Sequence, residues 1–216
     1  MRKLKLLITA AGVLMALTAT ATASTVTVTP GGAFSAPASS AFFRVGSMAI
    51  TCSSSNMTGT TSSTSGTLPL AFSAPTAVSS FLDDTQGNVG LTFAACTWPN
   101  PLVSCDGRSN LVATGATTAA GLTPLRFTGL RCTFRLATGC TVQLASGTSA
   151  ALGGGAAMTF NLGRLVFDAP TATNQDLAFW NSGCTSAIPN GPVKFSGPSM
   201  GPLSYGVSPS TTINVS

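Results

Sequence analysis

The sequence predicts an all-β fold. Three observations carry this: runs alternating polar and apolar residues with period two, turn-forming clusters of Gly, Pro, Ser and Asn between them, and no capped stretch of helical period beyond the N-terminal segment. Thr25-Val26-Thr27-Val28-Thr29 puts its valines on one face and its threonines on the other, as a half-buried strand requires. Met48 to Cys52, Val89 to Phe93, Arg131 to Leu136, Cys140 to Leu144, Met158 to Leu162 and Leu203 to Val207 follow the same rule. Phe42-Phe43, if on a strand, must point to opposite faces. Ser53 to Ser65 and Gly147 to Gly155 are low-complexity runs, expected as long exposed loops or weak edge strands.

The first 23 residues read as a secretory signal peptide. Arg2, Lys3 and Lys5 make the basic head, Leu6 to Ala16 the apolar run, and Ala21-Thr22-Ala23 the small-x-small cleavage site. The apolar run is shorter than the roughly 20 residues of a comfortable membrane span. The mature chain is therefore expected to be released, to the periplasm or the medium, with no membrane contact after cleavage; an uncleaved N-terminal anchor is the rival reading. Three of the ten Lys and Arg leave with the leader, so seven cations against five acids give a mature net charge of +2. The basic balance of the full chain is not a nucleic-acid signal, and no nucleic-acid partner is expected.

Composition excludes much chemistry. The chain has no His and no Glu, so a Ser-His-Asp triad, a Cys-His pair and His-ligated zinc are all ruled out. Its five acids are Asp83, Asp84, Asp106, Asp168 and Asp176. A glycosidase needs two facing carboxylates, and nothing in the sequence brings a pair together. Asp83-Asp84-Thr85-Gln86-Gly87-Asn88 is oxygen-rich but lacks the order of a calcium-binding loop, and reads as an ordinary turn. Gly153-Gly154-Gly155 lacks the lysine and helix of a phosphate cradle. No catalytic residue, no metal site and no cofactor is expected.

All six cysteines follow the leader, an even set that implies disulfides in an oxidising compartment. An internal repeat selects the pairing. Cys52 and Cys96 are 44 residues apart, as are Cys140 and Cys184. Gly59-Thr60 and Gly147-Thr148 follow each leading cysteine by seven residues. Ala71-Phe72-Ser73-Ala74-Pro75 answers to Val166-Phe167-Asp168-Ala169-Pro170, displaced by seven residues in the second half. The expected bridges are Cys52–Cys96 and Cys140–Cys184, leaving Cys105–Cys132 to staple the junction. The expected organisation is a duplicated chain of Ig-like β-sandwich size, residues 24–118 and 119–216, as two tandem units or merged into one larger sandwich.

Two sets of side chains are candidates for surface binding. Arg126, Arg131 and Arg135 form the densest cationic stretch, with Arg131 and Arg135 on one face of a strand. They suit an anionic polymer, although a solvated face that keeps a charge-poor chain soluble is the plainer account. Trp98 and Trp180 flank Cys96 and Cys184. They are expected to pack on those bridges in the core; exposed, they would stack on sugar rings.

In layout the chain resembles a group of small secreted bacterial proteins, some named alkane-oxidation activators. The likeness rests on the leader, the Thr-Val-Thr-Val-Thr-Pro first strand, Thr51-Cys52 closing another, and the final Tyr205-Gly206-Val207-Ser208-Pro209. It departs from their four-cysteine layout by the pair Cys105 and Cys132. The resemblance implies a secreted β-protein of the envelope or biofilm matrix and assigns no functional residue. The expected function is that of a secreted, non-catalytic structural or adhesive protein of the bacterial envelope or extracellular matrix. Its partners are then further copies of itself or a matrix polymer. A secreted binding module for a glycan or a hydrophobic ligand is the alternative.

Overall fold

The period-two segments become strands, and strands account for nearly all the regular structure. The computed structural model describes residues 23–68, 70–71, 89–97, 102–105, 109–135, 139–146, 155–170, 175–182, 184 and 190–216. Residues 1–22 of the expected signal peptide, the Asp83–Asn88 segment and Trp98 lie outside the described residues. The first half supplies β1 (Ala23–Thr29), β2 (Gly32–Ala38), β3 (Ala41–Val45), β4 (Met48–Thr61), β5 (Thr64–Thr67), β6 (Leu70–Ala71), β7 (Val89–Thr97), β8 (Leu102–Cys105) and β9 (Asn110–Ala113). The second supplies β10 (Thr123–Thr128), β11 (Arg131–Arg135), β12 (Thr141–Ser146), β13 (Gly155–Asn161), β14 (Arg164–Phe167) and β15 (Gln175–Ser182). It continues through β16 (Gly191–Pro192), β17 (Lys194–Ser196), a 3₁₀ turn (Pro198–Met200), β18 (Leu203–Gly206) and β19 (Thr212–Val215).

Every strand ladder among the described residues is antiparallel. A five-stranded sheet runs β17-β3-β4-β2 with β7 on the other side of β4. An eleven-stranded, branched sheet carries β6, β8 to β16 and β18, and a small third sheet runs β19-β1-β5.

One pairing pattern occurs twice. β2 and β3, joined by a two-residue corner, both lie along β4, and β7 lies along its other edge. Likewise β10 and β11 lie along β13 and β12, which share β15 on their other edge. The pair β12 and β13 thus takes the place of the single long strand β4. Residues 147–154, outside the described residues, separate β12 from β13, and this insertion accounts for the displaced Ala-Pro motif.

The halves are not side-by-side units, however. β8 and β9, from the first, pair with β11 and β10 of the second. β17, from the second, pairs with β3 of the first. Just beyond β18, Ser208 reaches Ser35 of β2 through mutual backbone bonds, both 2.8 Å. Each half therefore finishes the sheet of the other, and strand ladders cross the expected boundary near residue 118.

The core lies between the sheets and is aromatic. Phe43 of β3 stacks on Phe195 of β17 with ring centroids 4.8 Å apart and meets Phe134 of β11 edge-on at 5.3 Å. Phe179, Phe167 and Tyr205 extend the cluster. Such pairs contribute about 0.5–1.5 kcal/mol each beyond the area they bury. Phe42, as the alternation requires, is only half-buried beside the fully buried Phe43.

The disulfides are Cys52–Cys96, Cys105–Cys132 and Cys140–Cys184, the pairs the repeat selects, and no cysteine is free. Such a set marks an oxidising, extracellular or periplasmic environment. Cys105 and Cys132 are direct cross-strand partners, so this bridge fastens an exchanged strand, β8, to its host β11.

Two expectations need correction. Ser53 to Thr61 is neither loop nor edge: it continues β4 between β2 and β7. Its hydroxyls made it look like a linker, yet Ser55, Met57 and Thr61 point inward, and Ser55 Oγ shares a 2.8 Å hydrogen bond with Tyr205 OH. Within the Ser53–Ser65 run, Thr64 and Ser65 begin β5, which is an edge strand of the small third sheet. Leu162 leaves β13 for the turn before β14, where it is 89% exposed. At the start of β13, Gly155 (φ +125°) lies so close to Phe127 that a Cβ would collide with its carbonyl oxygen.

Candidate functional site

The eleven-stranded sheet turns one face of β8, β11, β12 and β15 outward. Inward-pointing residues hold it: Cys105, Cys132, Leu144 and Phe179 are neighbours in one cross-strand row. Cys132, Leu144 and Phe179 are buried, and the disulfide locks β8 to β11 beneath the surface.

The outward rows follow from the same register. Ser104 lies opposite Thr133, Thr133 opposite Gln143, and Gln143 opposite Trp180. Two residues either side of Thr133 on β11 stand Arg131 and Arg135, both exposed. Strand geometry sets the two guanidinium-bearing positions about 13 Å apart, with Trp180 about 10 Å across from their midpoint. Trp180 is 41% exposed, which corrects the expectation that it packs on the Cys140–Cys184 bridge in the core. Phe179 takes the inward position, and strand alternation sends its neighbour outward.

Beside this row lies an open cleft of about 430 Å³, lined by Thr133, Arg135, Gly139, Cys140, Thr141 and Gln143. Its side-chain walls offer hydroxyls, an amide and a guanidinium. By contrast, the apolar gap among Phe34, Leu111, Phe160, Leu165, Val207 and Ile213 encloses only about 10 Å³. That is room for about one water.

Of the residues singled out in the sequence, Arg131, Arg135 and Trp180 thus share one face. Arg126 stands apart: it pairs with Ala157 and Val112 on β10, beyond the Gly129–Leu130 corner. Its Nη1 is buried and has no hydrogen-bond partner among the described residues. Thr133, which strand alternation places on the face of Arg131 and Arg135, and Gln143, which the sequence did not single out, complete the face. The signal for Gln143 was its register between Thr133 and Trp180, which only pairing reveals.

The described carboxylates sit elsewhere. Asp168 Oδ1 accepts a 3.3 Å hydrogen bond from Thr159 Oγ1 in the turn after β14. Asp176 is buried opposite Gly155, four residues along β15 from Trp180. Among the described residues no group of three or more His, Cys, Asp or Glu side chains is placed to hold a metal ion.

This face presents one exposed aromatic ring, two exposed guanidinium groups, and a row of hydroxyl and amide groups on a strand surface. Comparison of the chain with protein-family models, curated proteins and solved structures returned no match.

Proposed function

We propose that the protein is an exported, non-catalytic structural or adhesive component of the bacterial envelope or extracellular matrix, acting through its outer surface. The observation that carries this reading is the bridged, strand-exchanged framework, with all three disulfides formed and one joining strands from opposite halves. A scaffold stapled in this way suits an unprotected, oxidising environment. Its small mature charge and single mature lysine leave the sheet edges with few charged guards against edge-to-edge association.

The test is retention. The mature oxidised chain, residues 24–216, is mixed with whole cells, isolated wall or matrix polymer, and buffer alone, then sedimented. The proposal expects recovery with the particulate fraction, or concentration-dependent oligomers in solution. A chain that stays monomeric at high concentration and remains in every supernatant overturns it.

A second reading, a secreted glycan-binding module, is favoured by one observation, the exposure of Trp180. Acrylamide quenching of tryptophan fluorescence, with and without neutral sugars, separates the two: a glycan-binding module's indole becomes protected by its neutral ligand, and the adhesive protein's does not.

A further inference from the structure

We infer that the outer face of β11, β12 and β15 binds an acidic polysaccharide, with Trp180 as the stacking platform and Arg131 and Arg135 as the carboxylate-binding groups. This rests on the exported, surface-acting reading and names its partner by class.

Three features on one face point to that chemistry. An exposed indole offers a broad apolar plane with a polar edge, which suits the C–H face of a pyranose ring. Guanidinium groups bind carboxylates bidentately, and at a surface they do so with less hydration to shed than an ammonium has. Thr133 and Gln143, between the indole and the arginines, supply donors and acceptors for sugar hydroxyls.

The spacing fits a chain, not a single sugar. The arginine positions lie about 13 Å apart along β11, beyond the reach of one ring. The cleft bounded by Arg135, Gly139 and Gln143 lets a polymer settle against the strand. Among the described residues of these strands the only carboxylate is that of Asp176, which is buried and about 13 Å along β15 from Trp180. The face therefore presents positive charge to the ligand.

The same features count against a nucleic acid. A duplex carries about one negative charge per 1.7 Å, which calls for a denser cationic surface than two arginines on a chain of mature charge +2. A single strand calls for several stacked aromatics, and only Trp180 is an exposed aromatic among the described residues. The binding surface is also preorganised. Phe134, Leu144 and Phe179 pack beneath it and the Cys105–Cys132 bridge lies under β11, so little ordering is lost when ligand arrives.

The test titrates the oxidised mature chain with alginate, with neutral dextran and with a single-stranded oligonucleotide, by calorimetry and tryptophan fluorescence. The variants are R131S/R135S, W180A and a control, R44S/K194S. Arg44 and Lys194 are exposed cross-strand partners on the five-stranded sheet, so the control removes the same charge from a different place. Matching thermal melts confirm that each variant is folded.

The inference expects alginate but not dextran to bind, more weakly as salt rises. It expects at least about a tenfold loss in R131S/R135S, the fold-change of a lost charged hydrogen bond. W180A should lose affinity and the fluorescence response, and R44S/K194S should bind as the parent does. Equal binding of dextran, equal loss in the control, or tighter oligonucleotide binding through the same residues overturns it. A chain that still sediments with cells or matrix while failing these criteria leaves the proposed function standing and sinks this inference alone. A chain retained by neither cells, matrix nor alginate, and monomeric at high concentration, sinks both.

Discussion

Gln175 grips the backbone of Phe195 with both ends of its side-chain amide. Its Nε2 donates to the Phe195 carbonyl at 2.6 Å, and its Oε1 accepts from the Phe195 N–H at 2.8 Å. A glutamine on β15 thus acts as a one-residue neighbouring strand for β17, whose other edge pairs with β3. Phe195 is fully buried and stacks on Phe43, so the grip holds the strand that the second half lends to the first.

Removing that grip leaves two buried backbone groups without partners, each at a cost of about 1–3 kcal/mol. Gln175→Ala is expected to lower unfolding free energy by about 2 kcal/mol or more in urea titrations. Gln175→Glu should not restore it, because a carboxylate accepts from the N–H but faces the carbonyl with nothing to donate.

The strand exchange predicts that neither half folds alone. Residues 24–118 lack β17 and β18, and residues 119–216 lack β8 and β9. Each fragment expressed separately should give the narrow amide dispersion of an unfolded chain in NMR spectra, and mixing them should restore the dispersed spectrum. Two well-dispersed spectra from the separate fragments would show that the exchanged ladders are not needed.

Cys105–Cys132 closes a loop of sequence separation 27, for which the chain-entropy account gives about 3–4 kcal/mol. The double variant C105S/C132S should lose stability by about that amount in denaturant titrations. Hydrogen exchange should show the added opening concentrated in β8, the exchanged strand the bridge fastens.

Tyr205 is the chain's single tyrosine and fully buried. Burial pushes its phenol well above the ordinary range, and the hydrogen bond to Ser55 only partly offsets this. The unfolded phenol ionises near pH 10. Below that pH both states hold the proton and the folded state's stability is fully present. Above it the unfolded state sheds its proton first, so stability falls as pH rises towards the folded value. Tyrosinate absorbance should therefore appear together with unfolding, not before it. Tyr205→Phe should flatten the alkaline slope while costing about 1 kcal/mol at neutral pH for the hydrogen bond lost from Ser55.

The strands and bridges were legible because their signals are local or periodic. Thr25 to Thr29 shows its buried face in its own alternation, and the equal spacing of Cys52–Cys96 and Cys140–Cys184 exposes the repeat. Ser53 to Thr61 was misread because strand polarity is judged by hydrophobicity, whereas Ser55 is buried against a phenol that satisfies it. Trp180 was misread from its nearness to a cysteine, although the adjacent Phe179-Trp180 must straddle a strand as Phe42-Phe43 does. The exchange of β8 and β17 left no mark in the sequence. Which strand an edge accepts depends on the path of the connecting chain, and neither strand's own residues record it.

The first and last strands among the described residues are also partners: Val26 of β1 pairs with Val215 of β19, and Thr25 and Ser216 exchange backbone bonds of 2.9 and 3.0 Å. A polypeptide that grows from its N-terminus meets this closing ladder last. Until residues near 215 emerge from the ribosome, β1 has no β19, so the nascent molecule cannot reach its final form. Such a delay keeps the growing polypeptide short of its final fold until its last strand has been made.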